Sequence, residues 1–149
     1  MKFFGILPSL LLTATAAPLA PRQEAIQTTN FSAATVQGGP GASITFDVAF
    51  PSGPSTTCSY SDETSGAALP DVSPYVACAD GRVSWQFRRI VSRPGSDGFY
   101  LLVVRYSDGP NSRAGSKEWQ ASEFPVVVGQ DGVQETVYGG PANFPLADA

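Results

Sequence analysis

No histidine occurs in this chain, and that absence removes more chemistry than any other feature. Ser/His/Asp and Cys/His nucleophilic machinery both depend on an imidazole base, and histidine is also the commonest metal ligand. Cysteine is nearly as scarce, since Cys58 and Cys78 are the only two. In an oxidising compartment each has only the other to pair with, which predicts a single Cys58–Cys78 disulfide. With both sulfurs committed, zinc and haem sites built on thiolates are excluded too. Phosphate-cradling loops are missing as well: Gly38-Gly39-Pro40-Gly41 has neither the spacing nor the following helix such a loop needs, and reads as a turn. Neither a cofactor nor a metal is expected.

Concentrated charge is the next absence. Nine basic residues face thirteen acidic ones, for a net charge of −4, and the basic ones are scattered. Nothing here would track a phosphate backbone or an anionic bilayer, so neither nucleic acid nor membrane is an expected partner. Long hydrophobic runs are lacking also. The one apolar run, residues 3–12, follows Met1-Lys2, is too short to span a bilayer and ends in the small residues 13–17. It reads as a secretory signal cleaved after Ala16, which places the mature chain outside the cell. Residues 17–25, with two prolines and no periodicity, read as a disordered leader or pro-segment, ending as a pro-segment near Arg22. The remainder suits one domain, expected over 26–138 and followed by a Gly/Pro-containing tail over 139–149.

What the chain does have is β-sheet patterning. Residues 26–36 (IQTTNFSAATV) are rich in threonine and β-branched side chains. Residues 43–50 (SITFDVAF) alternate, with Ile44, Phe46, Val48 and Phe50 on one face. Residues 56–61 carry Cys58, and residues 75–78 lead through Asp80-Gly81, a two-residue hairpin signal, to Val83, Trp85 and Phe87 on one face. Arg89 then breaks the phase, as a bulge near Arg88-Arg89 would. Residues 98–106 (GFYLLVVRY) are apolar on both faces and read as a central strand. Short strands follow at 126–128 and 133–138, while the polar stretch from Asp108 to Trp119 reads as a connection. No sustained helical period exists outside the signal. The fold class is therefore all-β, a single-domain antiparallel β-barrel or a β-sandwich, with Phe46, Val48, Trp85, Phe87, Leu101 and Val103 in its core.

Candidate functional residues follow from what is left. Asp47, Asp62, Glu63, Glu118 and Glu123 could supply the carboxylate pair of a glycoside hydrolase, although acids in turn-like contexts are ordinarily just solvated. Binding fits the composition better than catalysis. Leu69, Val72 and Tyr75 lie on or beside the loop of residues 62–74, and Arg113, Lys117 and Trp119 on the later connection. These are the side-chain types that anchor protein interfaces. Asn30-Phe31-Ser32 is an N-glycosylation sequon, used if Asn30 reaches the surface and idle otherwise. A barrel with an open interior could instead carry a small apolar ligand.

The leader APLAPRQ, the strand SITFDVAF running through TTCSYS to the first cysteine, the return YVACADGRVSWQF and the strand GFYLLVVRY together resemble the Alternaria alternata major-allergen family of small secreted fungal proteins. The likeness lies in the order and spacing of strands over residues 26–106 and more loosely to 128. It implies a single-domain β-barrel without established enzymatic activity, whose plant-associated members act as effectors or elicitors. Its implied partners are host extracellular proteins of the thaumatin-like defence class, with small phenolic ligands as an alternative. Cys58 and Cys78 stand where that family has its first disulfide. A second disulfide and an N-terminal cysteine that links two chains, frequent in the family, have no counterpart here. A monomer or a non-covalent dimer is the expected state.

Overall fold

The computed structural model describes residues 24–36, 41–63, 68–92, 95 and 97–149. The expected signal, most of the leader and Gly38 to Pro40 of the expected turn lie outside the described residues. Among the described residues there are ten strands: β1 (Ile26–Val36), β2 (Gly41–Ala49), β3 (Ser55–Asp62), β4 (Val72–Ala77), β5 (Val83–Ile90), β6 (Phe99–Asp108), β7 (Asn111–Gln120), β8 (Val126–Val128), β9 (Gln134–Val137) and β10 (Phe144–Asp148). A single 3₁₀ turn, Ala121–Glu123, follows β7. Eight strands hydrogen-bond in the order β3-β2-β1-β10-β7-β6-β5-β4, all antiparallel, and the sheet curls into a nearly closed barrel.

The two ends of that path are β3 and β4, and the Cys58–Cys78 disulfide joins them. Cys58 lies in β3 and Cys78 directly follows β4, so the covalent bond sits on the seam where the ladder is open. Two hydrogen bonds accompany it: Ala79 N donates to Thr57 O at 2.9 Å, and Asp80 N to Thr56 Oγ1 at 2.8 Å. Edge strands expose unpaired backbone groups, and this seam covers part of both edges with one covalent bond and its neighbouring turn.

β1 reaches two neighbours because it is bulged. Ile26 and Thr28 are buried, then Phe31, Ala33 and Thr35, so the inward phase changes between Thr29 and Ser32, where the register with β2 shifts. Asn30 absorbs the extra residue with φ 56°, a left-handed conformation that asparagine tolerates better than most residues. Below the bulge β1 pairs with β10, above it with β9. β8 pairs only with β9 and exposes Val126, Val127 and Val128.

The interior is filled. Phe46 meets Trp85 edge-on at 5.1 Å, and a larger cluster gathers Phe31, Phe87, Tyr100, Trp119, Phe124, Tyr138 and Phe144 at centroid separations of 4.3–6.4 Å. Phe46, Val48, Trp85 and Phe87 are buried as expected. Leu101 and Val103 are not in the core. β6 turns Tyr100, Leu102 and Val104 inward and leaves those two half-buried on the outer face.

Four other expectations give way. The expected tail carries β10, whose Phe144 and Leu146 are core and whose backbone bridges β1 to β7. The polar connection is a ten-residue strand, β7, whose inward positions are Arg113, Gly115, Lys117 and Trp119, each paired with an inward residue of β6. Gly115 supplies no apolar signal because it has no room for one. A Cβ there would lie 2.8 Å from Leu146 Cβ and 3.0 Å from Ile26 Cδ1. No bulge occurs at Arg88-Arg89, since the β5–β6 register runs unbroken from Val83 to Ile90. Arg89 stays on the inner face and places its guanidinium 6.0 Å from the Tyr100 centroid, at the barrel rim. The irregularity lies in β4, between Val72 and Val76. Finally, the Asp80-Gly81 hairpin is wider than a two-residue turn: Cys78 N donates to Val83 O, and the carboxylate of Asp80 caps the backbone N–H of Arg82.

Candidate functional site

The residues predicted to bind a partner do not form one surface. Leu69 (4% exposed), Val72 (1%) and Trp119 (1%) belong to the core. Leu69 and Val72 are the inward returns of the loop that closes the seam, and Trp119 donates its Nε1 to Tyr138 Oη at 3.1 Å inside the aromatic cluster. Burial is the physical correction: a side chain packed on all sides offers nothing to a partner. Arg113 and Lys117 are half-buried on β7. Arg113 Nη2 donates to Glu24 O at 3.2 Å and lies 3.7 Å from Asp148 Oδ1, while Lys117 Nζ sits 6.0 Å from the Trp119 ring centroid. Only Tyr75, on the outer face of β4, stands in a setting that can present itself to another molecule.

That outer face is built by registry. Cross-strand partners in an antiparallel sheet point the same way, so the rows Ser84–Arg105–Ala114, Gln86–Val103–Ser116 and Arg88–Leu101–Glu118 all project outward from β5, β6 and β7. Ala77 of β4 pairs with Ser84 of the first row, and two residues back Tyr75 brings its ring to Arg105, whose guanidinium carbon lies 4.1 Å from the ring centroid. The face is thus a half-exposed apolar strip, Leu101 and Val103, framed by Arg88, Arg105, Gln86 and Glu118. Sequence reasoning missed it because apolar residues on both sides of β6 were read as burial on both sides. The signal that could have found it is the polar company: every residue paired with Leu101 or Val103 is charged or hydrophilic.

At one end of the barrel a second polar group is tightly tied. Arg82 Nε and Nη2 donate to the two oxygens of Asp80 at 3.1 and 2.9 Å, Arg82 Nη1 lies 3.5 Å from Asp108 Oδ2, and Tyr106 Oη donates to Asp108 at 3.0 Å. The side-chain and backbone hydrogen bonds from Arg82 hold the Asp80 carboxyl down at about 2 and raise the Arg82 guanidinium in turn. A carboxylate whose folded value lies below its unfolded one stabilises the fold above the unfolded value, and that contribution is lost as pH falls through the folded one. Asp80→Asn should therefore flatten the fall in the denaturation midpoint between pH 4 and 2, as followed by circular dichroism. An unchanged acid limb would show that the pair contributes nothing, an outcome known for exposed ion pairs.

The carboxylates considered for hydrolysis are dispersed. Asp47 accepts from Asn30 Nδ2 at 2.8 Å and from Thr57 Oγ1 at 2.6 Å, which lowers its pKa. Glu123 accepts from Gln120 N at 3.1 Å in a capping box, and Glu118 stands on the outer face. Asp62 accepts from Tyr60 Oη at 3.2 Å, and Glu63 follows the end of β3. Asn30 of the sequon is exposed at the β1 bulge, its amide engaged with Asp47. No protein-family model matches the chain, and no curated protein or solved structure matches it either.

Proposed function

We propose that the chain is a secreted, allergen-like fungal effector or elicitor that acts by binding a host extracellular protein rather than by catalysis, with a thaumatin-like defence protein as the candidate partner. The observation that carries this reading is the outer face of β5, β6 and β7. A half-exposed Leu101–Val103 strip beside arginines has the composition of a protein interface, while the aromatic interior leaves the outside of the barrel as the place for recognition. Both cysteines are consumed in the internal bond, so association with a partner or a second copy is non-covalent. The resemblance in strand order supplies the partner class.

Affinity capture from plant extracellular fluid tests it. Wild type is expected to retain a host protein, and the double substitution Leu101→Glu/Val103→Glu, on an outer face that the core does not need, is expected to lose it with an unchanged circular dichroism spectrum. Equal recovery by both would move the interface elsewhere. Release of reducing sugar from wall polysaccharide, abolished by Glu118→Gln, would replace the reading with hydrolysis.

The carrier alternative has one specific observation behind it. Among the described residues Thr28 Oγ1 and Trp85 Nε1 are buried without a hydrogen-bond partner, and a phenolic hydroxyl is the kind of group that satisfies such an atom. Entry would require displacing aromatic rings. A saturable change in tryptophan emission on titration with a simple phenol would favour it, and a linear inner-filter response would not.

A further inference from the structure

We infer that the cleft beside Arg105 is a carboxylate-recognition site that receives an acidic side chain of the protein partner. The inference rests on the protein-binding reading above and names the chemistry of the contact. The cleft, about 530 Å³, is lined by Ser84, Arg105, Tyr106, Ser107, Ser112 and Arg113, together with Ala114 and Ala149. In a chain with thirteen acidic residues to nine basic ones, its lining includes two arginines and no Asp or Glu, and of the two Arg113 is already engaged by Asp148.

Arg105 is the uncommitted member. Arg82 directs its N–H groups to Asp80, Arg89 to the carbonyl of Asp97, and Arg113 to Glu24 O and Asp148. Arg105 has no acceptor and no carboxylate among the described residues, and its guanidinium rests on the Tyr75 ring. That contact covers one face of the guanidinium and favours one placement of it, leaving the N–H groups around its rim for an acceptor, the fork that matches a carboxylate with two parallel hydrogen bonds. Because the arginine is held before binding, less conformational entropy is lost when the acid arrives. The hydroxyls of Ser84, Ser107 and Ser112 supply further donors around the same space. The carboxylate belongs to a protein rather than an acidic polysaccharide for two reasons. Tyr75 already stacks on Arg105 and cannot serve as a sugar platform, and the Leu101–Val103 strip continues the surface with apolar contacts.

Fluorescence polarisation on the intact mature chain, with labelled hexaglutamate as probe and labelled hexaglutamine as control, tests the site. At low salt hexaglutamate is expected to bind at least about tenfold more tightly than hexaglutamine, and Arg105→Gln to remove about tenfold of that affinity. Arg105→Lys should fall between, since it keeps the charge without the fork, and Arg88→Gln should stay within about twofold because Arg88 lies outside the cleft. Equal binding of the two peptides, or equal losses in Arg88→Gln and Arg105→Gln, would overturn the site and leave only diffuse charge. Tighter binding of an oligogalacturonate than of hexaglutamate would overturn the assignment to protein. A host protein captured equally by wild type and Arg105→Gln would overturn the carboxylate contact while the protein-binding reading stands. Hexaglutamate binding that obeys these expectations without any captured host protein would support the cleft and overturn only the partner reading.

Discussion

Breaking the Cys58–Cys78 bond is expected to lower the unfolding free energy by about 3 kcal/mol, from the loop-closure entropy of a segment of this length. A domain of this size then loses roughly 10 °C in its thermal midpoint. The position of the bond makes the effect larger than chain entropy alone. Every other neighbouring pair along the eight-strand path is held by a ladder of backbone hydrogen bonds, whereas among the described residues β3 and β4 have no ladder and are joined by the disulfide and the turn that follows Cys78. Cys58→Ala/Cys78→Ala should therefore also free two adjacent strand edges, which invite pairing with other chains. Denaturant midpoints with and without reductant measure the first effect, and concentration-dependent light scattering measures the second. A reduced protein with the oxidised midpoint would show that packing across the seam suffices by itself.

How far the fold was legible depended on how each strand reports its inner face. β2 alternates without interruption, so its buried set is plain from the residues, although the strand runs Gly41–Ala49 rather than over 43–50. β7 has the same geometry and was read as a connection, because its inward row of Arg113, Gly115, Lys117 and Trp119 mixes cations and a glycine. The glycine is required by the approach of Leu146 and Ile26, and the two cations are only half-buried, Lys117 lining a groove beside β10. β10 reads as tail because prolines and small residues surround Phe144 and Leu146. Only the long-range pairing with β1 and β7 makes it a strand, and a local reading cannot see a partner more than a hundred residues away. The seam was half legible: two cysteines gave the bond, but nothing local said that it would fall at the ends of the sheet.

The candidate site was less legible than the fold for a related reason. Side-chain type marked Trp119 and Arg113 as anchors, yet a tryptophan serves a core as readily as an interface, and only its neighbours decide. On β6, conversely, Leu101 and Val103 were assigned to the core by hydrophobicity, when the register gives them Arg88, Gln86, Ser116 and Glu118 as cross-strand company. Arg105 carries no local signal in the sequence. Its interest comes from what it lacks, an internal acceptor, and from Tyr75, thirty residues earlier, which only the packing of β4 onto β5 brings above it.

Trp119→Ala is expected to cost about 3–5 kcal/mol of stability, the range for removing a buried tryptophan. Trp119 is 1% exposed and touches five rings: Phe31 stacked at 5.1 Å, Phe144 edge-on at 5.2 Å, Tyr138 at 5.7 Å, Phe124 at 5.9 Å and Phe87 at 6.4 Å. These come from β1, β5, β9's continuation, the 3₁₀ turn's continuation and β10, so truncation at one position loosens five segments at once. Its Nε1 also donates to Tyr138 Oη, which in turn donates to Pro141 O, fixing the chain that leads into β10. Trp119→Phe keeps most of the ring contact and loses that donor, leaving Tyr138 with one bond fewer. It should cost less, with about 1 kcal/mol of its loss due to the hydrogen bond. Urea midpoints of the two variants give the comparison, and acrylamide quenching of Trp85→Phe, which leaves Trp119 as the only tryptophan, reports its burial directly. A Trp119→Ala protein with a wild-type midpoint that no longer captures a partner would return this residue to the surface role its side-chain type first implied, and rapid quenching in Trp85→Phe would do the same.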